Sequence, residues 1–126
     1  MALWQISSVI ATIFVGFGAN AIVRPANALS FFGFTIPSSA AETKLVEFLL
    51  ALYGVRDVFM GAALGAAAWV GDFRVLGLTL ISAGAVACAD GVLCYLANTG
   101  EEWNHAYGVG VIAIGVVAWF KVRIPN

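Results

Sequence analysis

Four ionisable side chains in the sequence have the types needed for acid–base chemistry: Arg56, Asp57, Asp90 and His105. An arginine can hold or polarise an oxygen, an aspartate can take up or return a proton, and a histidine transfers protons near neutral pH. Arg56 and Asp57 are adjacent, so on a helix they point about 100° apart. We therefore expect Arg56 to pair with Asp90 or with a substrate oxyanion, and Asp57 to face a neighbouring helix.

The Arg56–Asp57 pair interrupts the long apolar run from Leu45 to Val70. About a dozen residues of helix place the pair ~18 Å into the run, near the middle of a ~30 Å hydrocarbon layer. Each charge at that depth costs at least ~2.5–3.5 kcal/mol, and such residues usually face a bundle interior and pair. The rest of the chain must therefore supply a shell around them.

The composition is that of a membrane protein. The 126 residues are 62% hydrophobic and 10% charged, with a mean hydropathy of +0.97, whereas soluble domains average ~25% charged residues. The net charge of −1, without a basic stripe, argues against a nucleic acid partner. Cys88 and Cys94 would lie ~9 Å apart along a helix, too far to form a disulfide.

The apolar runs predict an all-α fold: an integral membrane four-helix bundle, in one domain over residues 1–126, with short loops and one longer apolar loop between helices 1 and 2. The expected helices are about 3–23, 43–70, 75–96 and 104–120. A cleaved signal peptide is the alternative for the first run, but no basic segment precedes it and the run is long. We expect the loop from Pro25 to Thr43 to lie against the bundle mouth, as an interfacial or short re-entrant segment.

The polar residues are predicted to gather at one side of the membrane. An even helix count puts both termini on one side, here called side A, and the opposite surface is side B. Following the helices in turn puts Asn20, Glu47, Asp90, His105 and the Arg56–Asp57 pair between the midplane and side B. A purely structural ion pair needs no such gradient, whereas a binding pocket open to side B would have one.

Four more residues are predicted to contribute to binding in this pocket: Asn20, Glu47, Tyr53 and Trp103. Tyr53 precedes Arg56 by three residues and Asp57 by four, so its hydroxyl could reach either. The sequence has no nucleotide-binding loop, metal-ligand spacing or haem motif. An enzyme of this kind would work without a tightly bound cofactor.

Simpler interpretations of the same residues stay open. The three charged residues in the membrane could form a network that only fixes helix register. His105 could be an interfacial histidine held by Glu101 or Glu102. Glu47 could be a solvated residue at the pocket mouth, and Tyr53 a packing residue with one satisfied hydroxyl.

Several short motifs together resemble a known family. They are Gly54-Val55-Arg56-Asp57 before a glycine-rich apolar stretch, Gly71-Asp72-Phe73-Arg74, Ala89-Asp90-Gly91 and His105. They resemble the small four-helix membrane proteins of fungi and bacteria catalogued as domain of unknown function 4267, over roughly Leu3 to Phe120. The resemblance implies that Arg56, Asp57, Asp90 and His105 are the functional positions. A looser likeness to small four-helix membrane proteins of fungal natural-product pathways implies cofactor-free oxidase, isomerase or cyclase chemistry on polyketides or terpenoids.

These observations favour a cofactor-free acid–base enzyme of the isomerase, cyclase or epoxide-opening type. Its substrate would be a lipophilic small metabolite that arrives from membrane lipid or from side B. The alternatives are a non-catalytic protein that binds a lipophilic ligand or assists transport, and a structural membrane subunit. The glycine-rich helix faces could also support a homo-oligomer.

The orientation follows from the distribution of lysine and arginine. Side A carries Arg74, Lys121 and Arg123, while side B carries Arg24 and Lys44. Because cytoplasmic loops carry the excess of these residues, the termini are expected in the cytoplasm.

Overall fold

Five α-helices form the fold in the computed structural model, which describes residues 3–121. They are α1 (Leu3–Val23), α2 (Pro25–Ser30), α3 (Ala40–Val70), α4 (Phe73–Leu96) and α5 (Tyr107–Lys121), and a 3₁₀ turn (Glu102–His105) precedes α5. Four segments are long and apolar enough to cross a membrane: α1, α3, α4 and the 3₁₀ turn with α5. This confirms the all-α, four-helix integral membrane fold.

The two ends of the described chain lie on the same side of the bundle. The Trp4 ring, near the start of α1, packs on the Phe73 ring at the start of α4, with centroids 4.5 Å apart. The Lys121 ammonium, at the end of α5, lies 4.9 Å from the same ring. These contacts define side A, and the loops before α3 and after α4 define side B.

Some helix boundaries differ from the expected ones. The helix expected from residue 43 begins at Ala40. The helix expected from residue 75 begins at Phe73, because the Asp72 carboxylate accepts hydrogen bonds from the Arg74 and Val75 backbone N–H groups, at 2.7 and 3.3 Å. The last span is broken near residue 106, and α5 has 15 residues, about 22 Å against a hydrocarbon layer of ~30 Å. The 3₁₀ turn completes that crossing at side B.

The long loop between α1 and α3 contains a short helix that was not predicted, α2. Pro25 stands at its start, where its fixed φ and missing N–H suit a first helical turn. After α2 the chain turns at Gly33, whose φ of 78° suits glycine. The Asn104 side-chain amide donates a hydrogen bond to the Phe31 carbonyl at 3.2 Å. The loop therefore lies against the bundle mouth at side B, as predicted.

Glycines bring the helices together in two antiparallel pairs, α1 with α3 and α4 with α5. A Cβ placed on Gly84 of α4 would lie 2.7 Å from the Gly108 carbonyl oxygen of α5, closer than any side chain tolerates. A Cβ placed on Gly61 of α3 would lie 2.6 Å from the Ala11 carbonyl oxygen of α1. We call these contacts the α1/α3 seam and the α4/α5 seam. In each helix of both seams the small residues recur seven positions apart: Ala11 and Gly18, Gly54 and Gly61, Gly77 and Gly84, Gly108 and Gly115.

The two halves of the bundle have different interiors. In the side A half, Leu64, Leu76 and Leu80 are fully buried in an apolar core that draws on all four spanning segments. The side B half holds a smaller apolar cluster together with buried Asp90 and His105. Large apolar side chains cover the outer surface, as contact with lipid tails requires.

Candidate functional site

Arg56 holds two carboxylates at once. Its Nε and Nη2 atoms donate to Asp57 Oδ1 at 3.2 and 3.1 Å. Its Nη1 and Nη2 atoms donate to the two Asp90 oxygens at 3.3 and 2.9 Å, which links α3 to α4. The predicted Arg56–Asp90 pair is therefore present.

Asp57 differs from expectation in its partner. It lies on the buried face of α3, and its side chain is only 3% exposed. Its hydrogen bonds, however, come from the adjacent Arg56 rather than from a neighbouring helix. The arginine side chain is long enough to fold back along its own helix. Its guanidinium can therefore reach the Asp57 carboxylate, although the two side chains leave the helix in different directions.

Tyr53 connects these charges to the rest of the site. Its hydroxyl donates a hydrogen bond to Asp90 Oδ2 at 3.3 Å, across the interface between α3 and α4. It also lies near enough to Asp57, one of its two predicted partners, for a weaker hydrogen bond. The Arg56 guanidinium carbon lies 4.1 Å from the centre of the Tyr53 ring, a cation–π contact. We call Tyr53, Arg56, Asp57 and Asp90 the charged cluster.

A cavity of about 40 Å³ opens beside the charged cluster at side B. That volume holds a few water molecules, and it is far below the ~300–1,000 Å³ of sites for drug-sized ligands. Its described lining includes neither Arg56 nor either aspartate, so Tyr53 is where the cavity meets the charged cluster. The lining residues are Phe17, Asn20, Ala28, Phe31, Phe32, Tyr53, Asn104, His105 and Tyr107.

His105 is the least satisfied polar group of the cavity. It is only 5% exposed, and neither ring nitrogen has a hydrogen-bond partner of accepted geometry. The Phe31 backbone lies near enough for a weak, poorly aligned hydrogen bond to the ring, and the Asp90 carboxylate acts on the ring electrostatically. The Phe32 ring stacks on it, with centroids 5.0 Å apart. A buried polar group without a well-formed hydrogen bond lowers the stability of a fold by ~1–3 kcal/mol, and a water molecule or a ligand can supply the missing bond.

The interpretation of His105 as an interfacial residue held by a glutamate is wrong. His105 is buried, and the Glu101 carboxylate instead accepts a hydrogen bond from the Asn104 amide at 2.6 Å. The 3₁₀ turn directs the histidine inward, because it closes against α4 at Gly91, where an added Cβ would lie 3.2 Å from the His105 Cβ.

The predicted binding residues divide into two groups. Asn20 and Tyr53 line the cavity, and the Asn20 amide donates to the Asn27 side chain at 3.0 Å. Glu47 is exposed on α3, ~9 Å along the helix from Tyr53. Trp103 is 80% exposed. The last two lie outside the cavity lining.

Sequence reasoning missed four aromatic residues that line the cavity: Phe17, Phe31, Phe32 and Tyr107. Phe32 belongs to the apolar loop whose contact with the mouth was expected, but the histidine as its partner was not. Tyr107 was not among the predicted site residues. Its position two residues after His105 was the available signal.

Residues 3–121 offer no metal site, since no three His, Cys, Asp or Glu side chains in that range stand close enough together. Cys88 and Cys94 are both free thiols.

The fold and the site together define a small four-helix integral membrane protein with a charged cluster and an aromatic cavity near one surface. The chain belongs to the family described as domain of unknown function (DUF4267), whose profile matches residues 11–120. This confirms the resemblance found in the sequence, and all four motif positions fall within the match. Comparisons with curated proteins and with solved structures give no match.

Proposed function

We propose that this protein is a cofactor-free acid–base enzyme that acts on a lipophilic small metabolite by isomerisation, cyclisation or epoxide opening. One observation carries the proposal: His105 and Tyr53 line the same cavity. Neither imidazole nitrogen has a hydrogen bond of accepted geometry to the protein, and the tyrosine hydroxyl is bonded to Asp90. One group can take a proton from a substrate while the other supplies one.

The geometry favours a division of roles that differs from the sequence expectation. In this proposal Tyr53 and His105 touch the substrate and are the catalytic residues. Arg56, Asp57 and Asp90 are positioning residues behind Tyr53, because Arg56 is held by both carboxylates. Arg56 is therefore not proposed as a clamp on a substrate oxygen.

The charge of the cluster suits proton transfer. One arginine and two aspartates carry a formal charge of −1 when all three are ionised. An unbalanced charge inside a bilayer is costly, so the cluster favours taking up a proton or a positively charged group. A proton held there can reach the cavity along the hydrogen bond between Asp90 and Tyr53.

An isomerisation illustrates how the two residues would act. The substrate here is a ketone with a carbon–carbon double bond one carbon away from the α carbon. His105 removes a proton from that α carbon while Tyr53 gives its proton to the carbonyl oxygen, and a dienol forms. His105 then returns its proton to the far carbon of the original double bond, and the enol oxygen gives its proton back to Tyr53 as the carbonyl re-forms. The double bond has moved, both residues are restored, and no co-reactant is needed.

Hydrogen exchange tests this proposal without knowledge of the natural substrate. The protein, purified in lipid nanodiscs, is incubated in D₂O with a panel of long-chain ketones, and deuterium incorporation next to the carbonyl is measured by mass spectrometry. We expect incorporation above that of empty nanodiscs, lost in His105→Leu and Tyr53→Phe and retained in Tyr95→Phe, a tyrosine exposed on α4. Equal incorporation in all variants, or none with any ketone, would contradict the proposal. By analogy with natural-product pathways, polyketide and terpenoid ketones are the natural compounds to try next.

The small cavity favours a second candidate, a protein that binds a lipophilic ligand without converting it. A volume of about 40 Å³ admits only a small part of a metabolite. This candidate predicts saturable binding in nanodiscs with no deuterium incorporation.

Two further expectations remain proposals. A homo-oligomer would have to form through glycines that lie outside the two seams. Gly16 and Gly65 are such glycines, because nothing lies within 4 Å of a Cβ added at either position. Cross-linking in nanodiscs at increasing dilution tests for it: a dimer band that persists supports the oligomer, and a monomer at every dilution contradicts it.

We also propose cytoplasmic termini, although the described residues place two basic residues at each side. Arg74 and Lys121 lie on side A, and Arg24 and Lys44 lie on side B. Arg123, which tips the balance towards side A, lies outside the described residues. Labelling of Thr99→Cys, in a background without the native cysteines, by an impermeant maleimide on intact cells would support this orientation.

A further inference from the structure

A groove on the membrane-facing surface of the bundle leads to the cavity. It lies between α1 and α5, has a volume of about 470 Å³ and is apolar along its whole length. Its floor and sides include Ile6, Ile10 and Ile13 from α1 and Gly110 from α5. Neither glycine seam closes this side, because the seams join α1 to α3 and α4 to α5. We call it the α1/α5 groove.

Two aromatic rings belong to both hollows. Phe17 and Tyr107 line the α1/α5 groove and also the cavity around His105. Their centroids are 6.3 Å apart, and Phe14 lies 6.3 Å from Tyr107 on the groove side. The groove and the cavity are therefore neighbours that share the Phe17 and Tyr107 side chains as a common wall.

The two hollows differ in chemistry along this path. From Ile6 to Phe17 the α1 side of the groove extends ~16 Å and offers only apolar contacts. Beyond Phe17 the cavity presents Asn20, Tyr53 and His105, whose ring nitrogens have no hydrogen bond of accepted geometry. At side B the cavity is covered by the Phe31–Phe32 turn, which the Asn104 amide holds. A ligand that fits both hollows has a long apolar part and a small polar end.

We propose that the ligand of this site is a single-chain amphiphile that reaches it from the bilayer, with its tail in the α1/α5 groove and a small oxygen-bearing head at His105 and Tyr53. This inference rests on the proposed function and names the class of substrate. The cavity of about 40 Å³ limits the head to a few atoms, such as a ketone, aldehyde, alcohol or epoxide. Phospholipid and sugar head groups are too large.

Photolabelling tests the groove directly. The probe is a long-chain ketone with a diazirine in its chain and a terminal alkyne, added to the full-length protein in phosphatidylcholine nanodiscs. We expect saturable labelling of α1 and α5 peptides that excess unlabelled long-chain ketone removes. A diazirine phosphatidylcholine that labels the same peptides, and whose labelling the ketone does not displace, would mean that the groove holds ordinary bilayer lipid only, which overturns the inference.

The open glycines supply a matched pair of variants. Gly110 lines the groove and Gly65 lies on α3 outside it, and an added Cβ meets nothing within 4 Å at either position. Gly110→Leu should reduce ketone labelling at least tenfold, while Gly65→Leu should leave it unchanged. The thermal stabilities of both variants confirm that each one folds. Equal labelling in the two variants would contradict the inference.

The head group is tested with a probe that lacks the oxygen. The wild type should label at least tenfold better with the ketone than with the matching hydrocarbon diazirine, and His105→Leu should remove that preference. Equal labelling by the two probes in the wild type would contradict the role of the head.

Deuterium incorporation separates the failure of this inference from the failure of the proposed function. If Gly110→Leu still promotes exchange, the substrate does not use the groove, and this inference fails while the enzyme proposal stands. If labelling depends on Gly110 but the wild type promotes no exchange, the groove binds the amphiphile and the enzyme proposal fails.

Discussion

The side A and side B halves of the bundle fill the space between the same four spanning segments in opposite ways. Side A is closed with leucines that have no exposed surface. Side B contains a charged cluster, a buried histidine without a hydrogen bond of accepted geometry, and a cavity. The contrast suggests that the side A core and the glycine seams hold the helices in register. The fold can therefore tolerate destabilising groups in the side B half, namely the charged cluster and His105.

The nature of the solvent explains why glycine is as important as leucine here. In a bilayer the lipid tails are as apolar as leucine, so burying a leucine gains van der Waals contact rather than release from water. Helices that meet backbone to backbone at glycine gain more of that contact.

Arg56→Met should destabilise the protein by about 3 kcal/mol. Removing one partner from a buried charge network costs ~3–5 kcal/mol because the remaining charges are uncompensated, and the 36% exposure of the Arg56 side chain puts the effect at the lower end. Reversible unfolding in mixed micelles measures it. The triple variant Arg56→Met, Asp57→Asn, Asp90→Asn should recover most of the loss, because no uncompensated charge remains. An unchanged stability of Arg56→Met would show that the cluster plays no structural part.

Gly84→Ala should destabilise by ~1–3 kcal/mol, the usual range for overpacking. The added Cβ would lie 2.7 Å from the Gly108 carbonyl oxygen, and a backbone atom cannot rotate away. The control is Gly110→Ala on α5, where nothing lies within 4 Å, and the same unfolding assay should find it no less stable than the wild type. Equal effects at the two positions would contradict the role of the seams.

His105→Leu should stabilise the fold by about 1 kcal/mol while it abolishes ketone exchange. The substitution removes no hydrogen bond of accepted geometry, and burying an unsatisfied polar group costs ~1–3 kcal/mol. Thermal unfolding measured together with deuterium incorporation checks both parts. A clear loss of stability would mean that the histidine has a structural partner.

Tyr53→Phe should cost the least, about 0.5 kcal/mol. The variant keeps the ring against Arg56 and loses one hydrogen bond, and at 3.3 Å that bond belongs at the weak end of the usual ~0.5–1.5 kcal/mol. Deuterium incorporation, by contrast, should be lost in this variant. A loss of stability as large as that of Arg56→Met would make Tyr53 a structural residue.

The sequence predicted the elements better than their contacts. Helix count and chain direction were enough to put Arg56 and Asp90 in the same part of the bundle, because transmembrane topology leaves few choices. The bond from Tyr53 to Asp90 could not be predicted, since it depends on the register between α3 and α4. The stacking of Phe32 on His105 depends on α2 and on the turn at Gly33, neither of which has a periodic signal.

The size of the cavity was also beyond sequence reasoning. The sequence predicted a pocket from the gradient of polar residues, but its volume depends on how the Phe31–Phe32 turn covers the mouth. The glycine rows were visible in the sequence, yet their partners were not, because several pairings of four helices satisfy the same spacing.

The central claim is that the cavity around His105 is a ligand site reached from the bilayer, and nitrogen NMR of the imidazole ring tests it most directly. The chain contains one histidine, so protein labelled with ¹⁵N-histidine in nanodiscs gives ring signals from this residue alone. On titration with a long-chain ketone we predict a saturable shift of these signals that is absent in Gly110→Leu and present in Gly65→Leu. Signals that do not respond to the ketone, and that show a hydrogen-bonded ring from the start, would contradict the claim.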